Sequence, residues 1–129
     1  MQLAYVAGPY TGKDHNTVHE NIEAARLVAI ELWQLGYAVI CPHLNSAFMS
    51  GVVDESVFYA GGIEMLRRCD LVVLFGRWEE STGTMHEIDE AKKHSILVCD
   101  GTEGLKECAE SAAAIKSLLA KGLLVRGKK

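Results

Sequence analysis

Four short apolar runs, each bounded by turn residues and separated by segments with helical spacing, constrain the fold of this chain more than any other feature. The runs lie at residues 3–7, 37–41, 70–75 and 95–99. Continuous apolar runs of this length are typical of strands buried on both faces, and strands that alternate with helices form parallel sheets. The sequence therefore predicts an α/β three-layer sandwich, flavodoxin-like or Rossmann-like, with four or five parallel strands. A fifth short strand is expected at residues 123–125.

The segments between the runs predict helices with recognisable ends. The first helix is expected to be capped by Asn16 or Thr17 and to stop at Gly36, a typical residue after a helix C-terminus. Residues 43–53 show no hydrophobic periodicity, which predicts a loop. Further helices are expected at residues 54–68, 85–93 and 105–119.

Composition places the chain among soluble globular proteins, with 49% hydrophobic and 23% charged residues. Its 129 residues predict a single domain over residues 1–129. No apolar run is long enough for a membrane span, and no basic segment precedes the first run as in a signal peptide. The four cysteines form no C-x-x-C pair and are expected to be buried thiols, which predicts a cytoplasmic protein. The net charge of −4 argues against binding to a nucleic acid polymer.

The predicted sheet locates a site before any motif is considered. Ligands in open parallel sheets bind beyond the carboxyl ends of the strands, where the strand order reverses. The segments that leave those ends are residues 8–12, 42–43, 76–84 and 100–101. The first and third are the richest in glycine and polar residues, so the crevice is expected between them.

Several familiar cofactor and metal motifs are absent. Gly8 and Gly12 enclose three residues rather than the four of a P-loop, and Asp14 stands where that loop needs a Ser or Thr. His15 and His19 are four residues apart but have no third ligand beside them. The first predicted strand is not followed by G-x-G-x-x-G. We therefore expect no metal and no cofactor.

Two longer segments carry a family resemblance. AYVAGPYTG resembles the first strand and loop of the nucleoside 2-deoxyribosyltransferase-like superfamily. RRCDLVVLFGRWEESTGTMHEIDEA resembles its third strand, the following loop and the helix with the nucleophilic glutamate. Gly83 and Glu87 match the pattern Gly-x-x-x-Glu, and Ser81 matches the polar residue six positions before the glutamate.

Two shorter motifs narrow the resemblance. PHL at residues 42–44 and GIEMLRRCD at residues 62–70 are similar to small phage and bacterial domains of the superfamily, related to nucleoside-monophosphate N-hydrolases. The resemblance spans roughly residues 2–99, most of the predicted domain.

The resemblance implies an enzyme that cleaves or exchanges the N-glycosidic bond of a nucleoside or its 5′-monophosphate. It also implies a homodimer or higher homo-oligomer, with each site completed by a partner. Glu87 would attack the anomeric carbon, where an anion stabilises the oxocarbenium-like transition state. From its place in the first turn of the predicted helix, we expect the helix dipole to keep Glu87 ionised.

Glu87 and Tyr5 also fit structural roles. Thr84-x-x-Glu87 is a capping-box pattern, in which the glutamate only returns a hydrogen bond to the cap residue. The resemblance implies that the Tyr5 hydroxyl orients the nucleophile, whereas the apolar run alone fits a core tyrosine. Because both flanking loops match the superfamily, we take Glu87 as nucleophile and Tyr5 as its partner.

The remaining site residues are expected to bind substrate. Gly8 would let the sugar or phosphate approach the backbone, or would simply form a tight turn. Ser81 corresponds to a phosphate-binding serine of the monophosphate hydrolases, or is a plain turn serine. His43 would touch the base, or would be a hydrogen-bonded loop histidine. The expected substrate-binding set is Gly8, Pro9, Tyr10, Thr11, Gly12, His43, Ser81 and Gly83.

One departure from the superfamily concerns the leaving group. Gly62 stands where the superfamily usually has an aspartate that contacts the leaving group or sugar. Glu64 should lie half a turn away, and Asp54 or Glu55 would substitute only if the preceding loop folds back. Asp70 is expected to be structural, at the start of its strand. Loss of the acid keeps a second hypothesis open, a catalytically silent nucleotide-binding or sensor module.

Overall fold

A computed structural model describes residues 1–122, apart from the side chains of residue 15 and residues 108–116. The strands are β1 Leu3–Ala7, β2 Ala38–Ile40, β3 Leu71–Leu74 and β4 Leu97–Asp100. The helices are α1 His15–Gln34, α2 Pro42–Asn45, α3 Glu55–Arg67, α4 Thr82–Lys93 and α5 Gly101–Ala120. A short 3-10 helix at Trp78–Glu80 precedes α4. The strand expected at residues 123–125 lies outside the described residues.

The four strands form one parallel sheet in the order β2-β1-β3-β4. Tyr5 pairs in register with Ile40 on one side and with Val72 on the other. The order confirms the predicted α/β fold and is the flavodoxin-like one. The direction of chain progression across the sheet reverses between β1 and β3, so their carboxyl ends are the expected ligand position.

Alternate residues of β1 pack against different helices, because successive strand side chains point to opposite faces. Ala4 and Val6 belong to a core cluster shared with α1 and α5. Tyr5 and Ala7 belong to a second cluster shared with α3 and α4. The sheet is therefore the middle of three layers, and Tyr5 points toward the α3 and α4 side.

Helix α1 begins earlier than predicted and ends as predicted. Its N-cap is Asp14, not Asn16 or Thr17, because the Asp14 carboxylate accepts a hydrogen bond from the Thr17 backbone N–H at 2.9 Å. A carboxylate at this position satisfies an N–H group that has no partner inside the helix. Gly36 follows the helix with φ of +94°, as expected for a glycine at this position.

Two other helices also begin earlier than predicted. Helix α4 begins at Thr82 rather than at residue 85, because the Ser81 Oγ accepts from the Thr84 backbone N–H at 3.2 Å and caps the helix there. Helix α5 begins at Gly101 rather than at residue 105.

The prediction of a loop at residues 43–53 is wrong at its start, because the short helix α2 begins at Pro42. The φ angle of proline is already suited to the first position of a helix. The Asp54 carboxylate accepts from the Ser56 backbone N–H at 2.9 Å and caps α3, which agrees with the predicted start.

Other sequence expectations can be compared directly with the described residues. Cys41, Cys69 and Cys99 are buried in the core, as predicted. Asp70 accepts a hydrogen bond from the Leu3 backbone N–H at 2.7 Å, which agrees with the structural role expected for it. Within residues 1–122, no helix has the length and hydropathy required to cross a bilayer.

Candidate active site

A pocket of about 710 Å³ opens at the carboxyl ends of β1 and β3, where the strand order reverses. One side is formed by the segment after β1, the second by the segment after β3 together with α4, and the third by α3. This volume falls in the range typical of small-molecule sites.

The structure brings all but one of the predicted site residues to this pocket. Those that line it are Tyr5, Gly8, Pro9, Tyr10, Thr11, His43, Ser81, Gly83 and Glu87. Gly12 does not line it. A Cβ atom at Gly12 would lie 2.2 Å from Cγ2 of Thr17, so the start of α1 occupies that space.

Tyr5 and Glu87 form a hydrogen-bonded pair inside the pocket. Tyr5 is 1% exposed in the middle of β1, and Glu87 is a partly buried residue of α4. The Tyr5 hydroxyl donates to the Glu87 carboxylate. Burial, followed by the charge and the hydrogen bond of Glu87, raises the pKa of Tyr5 far above its ordinary value, so the phenol stays protonated as a donor.

The pKa of Glu87 differs from the sequence expectation. Burial raises it to about 7, and the hydrogen bond from Tyr5 opposes that rise. Glu87 is the sixth residue of α4, beyond the first turn, where the helix dipole has little effect. The prediction that the dipole keeps Glu87 ionised is therefore wrong.

The alternative capping-box role of Glu87 is not realised either. Ser81, not Thr84, is the N-cap of α4, so Glu87 is not at the third helical position that such a box requires. The Ser81 Oγ accepts from the Thr84 backbone N–H and also from the Thr84 hydroxyl at 2.9 Å. Ser81 thus acts as a cap while it also lines the pocket.

His43 makes the hydrogen bond of the alternative prediction and also lines the pocket. It is buried between the rings of Tyr10 and Phe75, whose centroids lie 5.4 and 5.3 Å from its own. Its Nε2 lies 2.8 Å from the Pro9 carbonyl oxygen, which can only accept, so Nε2 carries the proton. Burial lowers the pKa of His43. Its buried Nδ1 has no partner in the described part of the chain.

Glycines shape two walls of the pocket in different ways. A Cβ atom at Gly8 would lie 2.3 Å from the Phe75 ring, so this position must lack a side chain for the core to pack. A Cβ atom at Gly83 would meet nothing within 4 Å. The protein's own packing therefore explains Gly8 but not Gly83, which leaves open space in front of α4.

Helix α3 contributes a wall of which only Gly62 and Glu55 were considered from the sequence, and Phe58, Tyr59 and Ile63 were not predicted. Glu55, Phe58, Tyr59, Gly62 and Ile63 line the pocket from one face of α3, at positions i, i+3, i+4, i+7 and i+8. This spacing was present in the sequence as a signal for one helical face. A Cβ atom at Gly62 would lie 3.2 Å from the Tyr5 hydroxyl oxygen, so α3 passes directly beside the Tyr5–Glu87 pair.

The acids near Gly62, where the superfamily usually has an aspartate, have structural partners. Glu64 lies on the exposed side of α3, where its carboxylate accepts from Arg68 at 2.9 Å. Asp54 caps α3 and also accepts from the Ser56 hydroxyl at 2.6 Å. Within the described residues, no group of three histidine, cysteine or carboxylate side chains could hold a metal ion.

Comparisons with known proteins bear on the family and the fold. A protein family described as "Domain of unknown function (DUF4406)" matches residues 2–100. Among solved structures, a 2-deoxyribosyltransferase from the psychrotolerant bacterium Bacillus psychrosaccharolyticus matches with a TM-score of 0.56. The match covers 75% of this chain and 69% of the transferase chain at 19% sequence identity, which shows a nucleoside deoxyribosyltransferase-like fold. No curated protein matches the chain.

Proposed function

The chain belongs to the family described as domain of unknown function DUF4406, and we propose that it cleaves or exchanges the N-glycosidic bond of a nucleoside or nucleoside 5′-monophosphate. The observation that carries this proposal is the Tyr5–Glu87 pair inside a pocket at the strand-order reversal. A carboxylate held in such a pocket suits covalent catalysis at an anomeric carbon.

In the proposed reaction, an oxygen of the ionised Glu87 carboxylate bonds to the anomeric carbon. The C–N bond breaks, and its electron pair leaves with the base, which also takes up a proton. Water or a second base then attacks the same carbon and releases Glu87, which gives hydrolysis or transfer respectively. Tyr5 contributes by donating to one carboxylate oxygen, which orients the other toward the sugar.

The pocket walls support a nucleoside-sized ligand. Phe58 and Ile63 supply apolar surface of the kind that packs against a planar base. The open space in front of Gly83 allows a ligand to approach the backbone of α4, four residues before Glu87.

A 5′-phosphate would find suitable groups in the same pocket. Arg77, Thr11 and Ser81 line it, and the N-terminus of α4 begins directly after Ser81. Backbone N–H groups at a helix N-terminus favour an anion, and Arg77 adds a positive charge. These groups support the monophosphate as an alternative to the free nucleoside.

A second candidate function is a catalytically silent nucleotide-binding module. Gly62 favours it, because the position beside Tyr5 has no carboxyl group to protonate a leaving base. Such a module would bind the same ligands in the same pocket without turnover.

The deciding experiment is a panel of ribo- and deoxyribonucleosides and their 5′-monophosphates, read by chromatography for released base. We expect release by the wild-type protein and by Glu64→Ala, an exposed carboxylate outside the pocket, and none by Glu87→Ala. Ligand binding should be measured in parallel by calorimetry. Binding without release by the wild-type protein would contradict the enzymatic proposal and support the silent module.

A further inference from the structure

We infer that Glu55 is the acid that protonates the departing base, in the place of the missing aspartate; this rests on the proposed glycosidic cleavage. A purine or pyrimidine anion is a poor leaving group, so cleavage of an N-glycosidic bond gains from proton transfer to the base. Gly62 cannot supply that proton, and Glu87 is the nucleophile. The proton therefore comes from another acid in the pocket or, more slowly, from solvent.

Among the residues that the structure describes, three carboxyl groups line the pocket, and they divide between its walls. Glu87 belongs to α4, and Glu80 belongs to the 3-10 helix immediately before it. Glu55 belongs to α3. Tyr5 lies between these walls, because its hydroxyl is bonded to Glu87 on one side and faces Gly62 of α3 on the other.

The stereochemistry of displacement indicates which wall of the pocket carries the acid that protonates the base. A nucleophile attacks the anomeric carbon from the face opposite to the leaving group, so the two catalytic carboxyl groups flank the scissile bond. With Glu87 attacking from α4, the base departs toward α3. Glu80, which precedes Glu87 on the same side, is on the wrong wall to protonate it, whereas Glu55 is on the correct one.

The other candidate acids on α3 are less suitable. The Asp54 carboxylate is engaged as the helix cap and does not line the pocket. Burial and the charge of Glu87 raise the pKa of Tyr59 above that of an ordinary phenol, which makes it a weaker acid. Glu64 is outside the pocket and paired with Arg68. Glu55 is the carboxyl group that remains on this wall.

The position of Glu55 along α3 fits protonation of the base rather than of the glycosidic nitrogen. It precedes Gly62 by seven residues on one helical face, a rise of about 10 Å before the length of its side chain is considered. Because Glu55 is also solvent-exposed, it lies toward the pocket mouth rather than beside Glu87. As the C–N bond breaks, its proton passes to a ring nitrogen or carbonyl oxygen of the base. In hydrolysis, the attacking water loses its proton to solvent, and the Glu55 carboxylate regains a proton from solvent.

The test uses nucleosides that share one sugar and differ in how readily the base leaves without a proton, the most activated being an N7-methylated purine. For wild type, Glu55→Gln, Glu80→Gln, Glu87→Gln and the exposed control Glu64→Gln, kcat/KM is measured across the series. We expect Glu55→Gln to lose about 10²- to 10⁴-fold on the ordinary base, the range for general acid catalysis, and little on the activated one. Glu87→Gln should lose activity on both, and Glu64→Gln on neither.

Other results would overturn the assignment. Equal losses by Glu55→Gln on both kinds of base, or no loss at all, would show that Glu55 transfers no proton to the leaving group. If the loss of kcat/KM depends on the leaving group in Glu80→Gln instead of Glu55→Gln, the acid that protonates the base is Glu80, on the other wall. If the wild-type protein releases no base from any substrate, the proposed function fails first, and this inference fails with it.

Discussion

Glu87 is placed where it should weaken the fold, and its replacement by glutamine should therefore stabilise the protein at alkaline pH. Burial raises the pKa of Glu87 from 4.5 to about 7 in the folded state. Below pH 4.5 the carboxyl group is protonated in both the folded and unfolded states, and no penalty exists. Between pH 4.5 and about 7 the unfolded state ionises this carboxyl group while the folded state keeps it protonated, so folding becomes less favourable. Above about pH 7 the group is ionised in both states, and the loss of stability is complete.

The expected magnitude follows from the pKa. A rise from 4.5 to about 7 corresponds to about 3 kcal/mol of folding free energy lost above pH 7. Glu87→Gln removes the ionisation and keeps an oxygen that can accept from Tyr5. We expect the variant to be more stable than the wild type by up to about 3 kcal/mol at pH 8.5, roughly 10 °C in Tm for a chain of this size. Near pH 4.5 the difference should vanish.

The assay is urea or thermal unfolding of both proteins from pH 4.5 to 8.5, followed by circular dichroism. It requires no knowledge of the substrate. Glu64→Gln is the matched control, because it removes an exposed carboxylate and should give no stabilisation that grows with pH. A stability difference between wild type and Glu87→Gln that is constant across pH would refute the placement of Glu87 in a desolvated site.

Three further outcomes are expected from the structure. Tyr5→Phe removes a hydrogen bond that favours the ionised form of Glu87, so the ascending limb of kcat/KM against pH should move upward from about 7. An unmoved limb would contradict the pairing. Gly8→Ala places a Cβ atom against the Phe75 ring and should cost about 1–3 kcal/mol in urea unfolding. Asp14→Ala removes the cap of α1 and should cost about 1 kcal/mol by the same measurement, with little change in the pocket.

Strands and fold class could be predicted because they depend on local hydrophobic patterning. β1 lies where predicted, and β3 lies within residues 70–75, because both are central strands whose residues are apolar on both faces. Helix starts were harder to predict. In the run from Ser81 to Thr84, several neighbouring side chains are capable of capping, and only the folded backbone selects Ser81.

Most strand-end residues of the candidate site could be predicted from the sequence, but part of its α3 wall and its electrostatics could not. The resemblance named Tyr5 and Glu87, which are far apart in sequence and belong to a strand and a helix. Whether a glutamate is ionised depends on burial and on partners from other elements, and neither is encoded in local spacing. Phe58, Tyr59 and Ile63 of α3 could not be assigned to the site, because sites on parallel sheets usually lie at strand-end loops and these residues lie on a helix.

The open space beside Gly83 has a practical consequence for anyone engineering this protein. Alanine is favoured over glycine by about 1 kcal/mol in a helix interior and by less at Gly83, the second residue of α4, and no described residue lies within 4 Å of the added methyl group. A thermostability screen performed without ligand would therefore select Gly83→Ala as an improvement. Because that methyl group would project into the pocket one helical turn before Glu87, the selected protein would melt later while accommodating its ligand less well.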